Sequence, residues 1–247
     1  MACTLSFEAG PSRGPAYTFP QRGDPGEAEA LRRELGREHA ALADLPQLDR
    51  LRAICHWVHM RWSHDGGNAA GTSDPLAILA AAKAGARFRC IEFAVLMAAM
   101  GTAMGLPTRY VHLMKSSVES EALGAGHAIA EAWISPLGKW VMVDPQWNLI
   151  PFRASTPLSA IELGLALTGN REGLSAAVPS SVTLHYFDWI APYLYYLTVE
   201  SDSPEPRTLL RLAPLGAPNP TMFQGRRTLP PSTLTHNLEQ FYSAPQR

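Results

Sequence analysis

Apolar residues recur at helical spacing through Leu48, Leu51, Ile54, Cys55, Val58 and Trp62, which predicts an amphipathic helix. Upstream, Asp24-Pro25-Gly26-Glu27 has the chemistry of a helix start: Asp as N-cap, Pro at the first position and Glu at the third. That helix is expected to run to about Ala43, after a Gly- and Pro-rich loop over residues 10–26. Residues 64–73 (HDGGNAAGTS) read as a loop, and Asp74-Pro75 opens a short helix that Gly85 ends. From Cys90 to about Met104 the residues are apolar on every face, so this helix is expected to be central and buried.

Gly105-Leu106-Pro107 stops that helix, and the pattern then changes period. Thr108–Met114, His127–Ile134 and Lys139–Asp144 read as strands, the last two joined across Ser135-Pro136-Leu137-Gly138. A four-residue turn sets Ile134 opposite Lys139, Trp133 opposite Trp140, Ile129 opposite Asp144 and His127 opposite Gln146. His127 and Asp144 are then diagonal neighbours on one face, within reach of each other. A slip by one residue sends them to opposite faces. Trp133 and Trp140 are expected to pack as a cross-strand pair; Glu131, on the same face as His127 and Asp144, fits a residue that orients a neighbour or, preferred, a satisfied surface carboxylate. Segments 157–168 and 183–199 fit helix or strand, and the Pro-rich residues 200–233 read as loop. The aromatic run His185–Tyr196 fits core, a cover over a site or a subunit contact.

Composition narrows the function classes. The chain has 247 residues, 46% hydrophobic, enough for a full core. A net charge of −1 gives no pull toward nucleic acid or an anionic membrane, and neither is expected as a partner. No apolar stretch is long enough to span a bilayer, and the N-terminus lacks a secretory pattern, so a cytoplasmic protein is expected. Three cysteines, Cys3, Cys55 and Cys90, make no disulfide framework. Cys55, His56, His59 and His64 lack the second ligand pair of a zinc pattern, and no metal or cofactor is expected.

Cys90 is the candidate nucleophile. It stands where the loop Ala86-Arg87-Phe88-Arg89 enters the buried helix, and a helix N-terminus favours thiolate and offers N–H groups to an oxyanion. Alone, it fits equally a small buried hydrophobe. With His127 and Asp144 it completes a Cys–His–Asp set in which carboxylate orients imidazole and imidazole activates thiol. Trp147, Trp62 and Arg89 are the candidate substrate-binding residues; the tryptophans suit a groove wall and Arg89 adjoins the thiol.

Three blocks carry a family resemblance. Arg89-Cys90-Ile91-Glu92-Phe93-Ala94 with Gly105-Leu106-Pro107-Thr108-Arg109 resembles the cysteine block of the transglutaminase-like superfamily. His127-Ala128-Ile129-Ala130-Glu131 resembles its His-Ala-Trp-x-Glu block, and Trp140-Val141-Met142-Val143-Asp144-Pro145 its Trp-x-x-x-Asp-Pro block. Phe88 stands where the family often has Gly, and Ile129 where it has Trp. The resemblance covers about residues 50–150. It implies an α+β, papain-like fold of the bacterial single-domain type, with the Cys-bearing helix packed on an antiparallel sheet that carries His and Asp. It assigns residues 1–155 to the catalytic core with its N-terminal helices and 156–247 to a C-terminal extension of unassigned role. The chemistry implied is acyl transfer through a thioester on Cys90. Hydrolysis of an amide or peptide bond leads, and the substrate is a small-molecule or peptide amide or thioester. Transfer to an amine acceptor is the alternative, and a non-catalytic binding module that keeps the fold is the second.

Overall fold

The computed structural model describes residues 5–8, 10–11, 24–36, 38–177, 180–200 and 208–245. Cys3, most of the 10–26 loop and Arg207 lie outside them. Contacts divide the chain into two compact units, one of Gln21–Tyr110 with Ala128–Ile150, the other of Met1–Pro20, Val111–His127 and Pro151–Arg247.

The first of these is the helical unit. Helix α1 spans Pro25–Leu35, and Asp24 caps it by accepting from the Gly26 N–H at 2.8 Å. The single helix expected to Ala43 is instead two, because Gly36 takes a left-handed φ of 58° and turns the chain before α2 (Glu38–Ala43). Next come α3 (Gln47–His59) and α4 (Pro75–Lys83), the latter capped by Asp74 through the Leu76 and Ala77 N–H groups. Helix α5 runs Cys90–Ala103, and α1, α3 and α4 pack around it. Its all-round apolarity matches that enclosure, with Phe93, Leu96, Met97 and Met100 buried.

Strand β1 (Thr108–Met114) follows the Gly105 turn, and its first residues belong to this unit. Gly101 lets α5 lie against it: a Cβ on Gly101 would stand 2.2 Å from Thr108 Oγ1. β2 (Gly126–Ile134) and β3 (Lys139–Val143) form the hairpin, with Ile134 opposite Lys139, Trp133 opposite Trp140 and Ala130 opposite Val143. That is the register expected from the turn length. Gly138 closes the turn in the left-handed region, φ 60°. Trp133 and Trp140 meet edge to face at 5.7 Å between ring centroids.

Glu131 is not the surface carboxylate its position suggested. It is fully buried and accepts from Arg109 Nη2 at 2.6 Å and Nε at 3.0 Å. The same guanidinium lies 4.3 Å from the Trp140 ring centroid, so a cation, a carboxylate and an indole close one buried stack from β1 to β3.

The second unit is richer in strand. After β4 (Pro151–Arg153) and β5 (Thr156–Pro157), α6 spans Ala160–Thr168 behind a Ser159–Glu162 capping box. β6 (Leu174–Ala176) pairs with β4, and α7 covers Ser180–Ile190. β7 (Tyr196–Glu200) pairs antiparallel with the end of β1 and with β8 (Leu209–Leu212). A small hairpin of β9 (Met222–Phe223) and β10 (Arg227–Thr228) comes next. β11 (Ser232–Thr235) runs parallel to β8, and α8 (Leu238–Phe241) follows. Residues 200–233 are therefore not all loop: Leu209, Leu210 and Leu212 supply enough apolar side chain for a short inner strand. The aromatic run is mostly core here, with Tyr186, Phe187, Tyr193 and Tyr196 buried. Among the described residues, no helix is long and apolar enough to cross a membrane.

Two substitutions test this packing. Gly101→Ala forces a methyl into Thr108 and is expected to cost about 1–3 kcal/mol, lowering the melting temperature by roughly 3–10 °C; an unchanged melting curve would refute the close approach. Arg109→Leu strands the Glu131 carboxylate and is expected to cost about 3–5 kcal/mol, most of it regained in an Arg109→Leu, Glu131→Leu double variant. Denaturant midpoints of the three proteins measure both.

Candidate active site

Cys90 is the first residue of α5, and its side chain is half-buried. Arg89 at the N-cap makes no side-chain capping bond, so no side chain of that residue occupies the N–H groups that open the helix. The approach to the thiol is laced down by the 64–70 loop. The Asp65 N–H donates to the Phe88 carbonyl at 2.9 Å, and Asn68 Nδ2 donates to the Arg87 carbonyl at 2.7 Å. Glu92, one turn in and 2% exposed, accepts from the Ala70 N–H at 3.0 Å and from Arg89 Nη2 at 2.9 Å. The Arg89 guanidinium is thus engaged by Glu92. This pairing holds the first turn of α5 and offsets a buried negative charge beside the thiol.

Trp62 packs on both flanks of Cys90 in the sequence, edge to face on Phe88 at 5.5 Å and against Phe93 at 4.5 Å. It is 8% exposed, and its indole N–H has no acceptor among the described residues. Phe88, which departs from the small residue expected there, is one of the two rings that seat this indole.

Asp144 follows β3 at the end of the hairpin and is fully buried. Its backbone exchanges two hydrogen bonds with Leu149, N–H to carbonyl at 2.8 and 3.0 Å. One carboxylate oxygen, Oδ1, accepts from the N–H groups of Gln146 at 3.1 Å and Trp147 at 3.3 Å. Trp147 is therefore bound to Asp144 through its backbone, with its side chain half-buried. Gln146 carries a buried Oε1 with no donor among the described residues. Asn148 completes the turn at φ 51°, a left-handed conformation that Asn tolerates better than other non-glycine residues.

His127 is the second residue of β2 and is 3% exposed. In its own unit the imidazole packs edge to face on Trp189 at 4.8 Å and on Tyr193 at 6.1 Å. α7 and the turn after it thus supply an aromatic seat for the ring, a role for the His185–Tyr196 run that its composition alone left open.

Cys55 is the thiol that geometry sets apart from Cys90. It is buried on α3, and burial pushes its thiol far above the ordinary range, with the Asp144 carboxylate adding to the effect. It is the unreactive comparator. Sequence reading did not single out Trp62 Nε1 or Gln146 Oε1; only folding shows each buried without a hydrogen-bond partner among the described residues.

Comparison with known proteins agrees with these blocks. A model of the transglutaminase-like superfamily matches residues 33–145. A solved structure from Cytophaga hutchinsonii, described as a provisionally assigned cysteine protease, is 19% identical with a TM-score of 0.37, covering 49% of this chain and 37% of its own. No curated protein matches the chain. The superfamily match spans α3, α5 and the hairpin and includes Cys90, His127 and Asp144. Residues 33–145 of this chain are thus similar to the transglutaminase-like superfamily.

Proposed function

We propose that this protein is a thiol amidase or peptidase in which Cys90 is the nucleophile, His127 the general base and acid, and Asp144 the carboxylate that orients His127. The observation that carries the reading is the start of α5 at Cys90, where Arg89 makes no side-chain capping bond, with a buried indole N–H of Trp62, packed on Phe88 and Phe93, that has no acceptor among the described residues. The hairpin supports the other two roles. His127 stands on β2, and Asp144 directly follows its partner strand β3.

In the mechanism, His127 takes the Cys90 proton and the sulfur attacks the substrate carbonyl carbon. The developing oxyanion accepts from the Cys90 N–H and the Trp62 indole N–H. His127 returns the proton to the departing nitrogen, leaving a thioester on Cys90 and a free amine. Water, deprotonated by His127, attacks the thioester and releases the acid, restoring the thiol. An amide rather than an ester suits the orphan atoms: Trp62 offers a donor for a carbonyl, and Gln146 Oε1 an acceptor for an N–H.

Iodoacetamide labelling across pH tests the nucleophile. Selective alkylation of Cys90 over Cys55 and Cys3 is expected; equal or absent labelling would count against the enzyme and for a binding module. Incubation with a library of N-acyl amides and peptides, followed by intact mass measurement, should trap an acyl adduct that Cys90→Ala loses without a change in melting temperature. Decay of that adduct in water alone supports hydrolysis, whereas decay only after an amine is added supports transfer.

Trp62→Phe keeps the ring and removes the N–H. It is expected to lower kcat by about 10²–10³-fold with KM little changed. A Trp62→Phe enzyme with unaltered kcat would remove the indole from the mechanism.

A further inference from the structure

Three polar residues of α3, Cys55, His56 and His59, are left over by the chemistry above. With His64 they lack the second ligand pair of a zinc pattern, and among the described residues no group of three or more His, Cys, Asp or Glu side chains is placed to hold a metal ion. Each reaches instead to a different residue of the turn that begins at Asp144. The Cys55 S–H donates to the Asp144 carbonyl at 3.8 Å. His59 Nδ1 lies 3.1 Å from the Pro145 carbonyl, which can only accept, so this nitrogen carries a proton. Asn148 Nδ2 lies 3.1 Å from His56 Nδ1 and can only donate, so that nitrogen is bare. At Nδ1, one histidine of this helix donates to the turn and the other accepts from it.

The turn is also closed on itself. Asp144 and Leu149 exchange backbone hydrogen bonds, Gln146 and Trp147 donate to Asp144 Oδ1, and Asn148 holds the left-handed φ that lets the chain reverse. With Oδ1 taken by two backbone amides, the direction of the carboxylate follows the turn, and the place of the turn follows α3. A carbonyl gripped at residue 144 and another at 145 leave the Asp144 backbone little freedom to rotate.

We propose that Cys55, His56 and His59 are positioning residues: they fix the backbone of the 144–148 turn against α3 and so aim the Asp144 carboxylate at the imidazole it orients. The proposal rests on the Cys90–His127–Asp144 reading, and Asp144→Ala separates the two.

The readout is the rate of Cys90 alkylation by iodoacetamide against pH, measured on the full chain, with the melting temperature followed in parallel. Asp144→Ala sets the full effect of losing the orienting carboxylate. His59→Phe removes the donor to Pro145. It is expected to slow alkylation at neutral pH about tenfold, because a displacement of about 1 Å at an orienting group is enough to cost up to 10²-fold. His59→Gln, which keeps an N–H donor, should recover most of the wild-type rate. His56 is exposed, so His56→Leu puts the fold at little risk and should shift the profile in the same direction by a smaller factor. The proposal is overturned if His59→Phe or His56→Leu lowers the melting temperature but leaves the wild-type profile in place while Asp144→Ala shifts it. If Asp144→Ala itself leaves the profile unmoved, the triad reading fails and the positioning role fails with it.

Discussion

The helical unit depends on the enclosure of α5. A helix that is apolar on every face cannot rest on a surface, and here α1, α3 and α4 surround it while its last turns lie against β1 through Gly101. Enclosure fixes where the helix begins as firmly as where it runs. Its first residue is Cys90, so the demand for burial delivers a thiol, and the N–H groups beside it, to one defined place. The other polar groups of the unit are arranged around that demand. Glu92 enters the interior on the first turn of α5 and is met there by Arg89 and by the Ala70 N–H. Glu131 enters it on β2 and is met by Arg109. Glu92 and Glu131 are each met by a guanidinium, which offsets the cost of taking a charge out of water.

Much of this was legible before folding because it is local. Asp24-Pro25 and Asp74-Pro75 announce helix starts by their own chemistry, and both caps are made as the residues dictate. A four-residue turn ending in Gly138 fixes its strands by geometry alone, so the pairing of Trp133 with Trp140 could be read from spacing. The three motif blocks, taken in order, led to the superfamily that matches residues 33–145.

What was not legible depends on partners far away in the chain. Glu131 reads as a surface residue until Arg109, 22 residues earlier, is brought beside it. β8 and β11 are short and parallel, and neither carries a signal that names the other; the intervening prolines dominate the composition instead. The contacts of Cys55 and His59 are to backbone carbonyls, which have no residue signature at all. For that reason nothing in residues 55–59 themselves announces a grip on a turn.

The hairpin register has a consequence for how this sequence can change. Successive residues of a strand alternate sides, so the number of residues between Ile134 and Lys139 carries a parity as well as a length. An insertion of one residue into Ser135–Gly138 that re-pairs the strands would turn every side chain of β3 to the opposite face. An insertion of two can be absorbed as a longer loop. Descendants of this chain are therefore expected to vary the turn by even steps, a restriction that belongs to no single residue and that a position-by-position comparison would pass over.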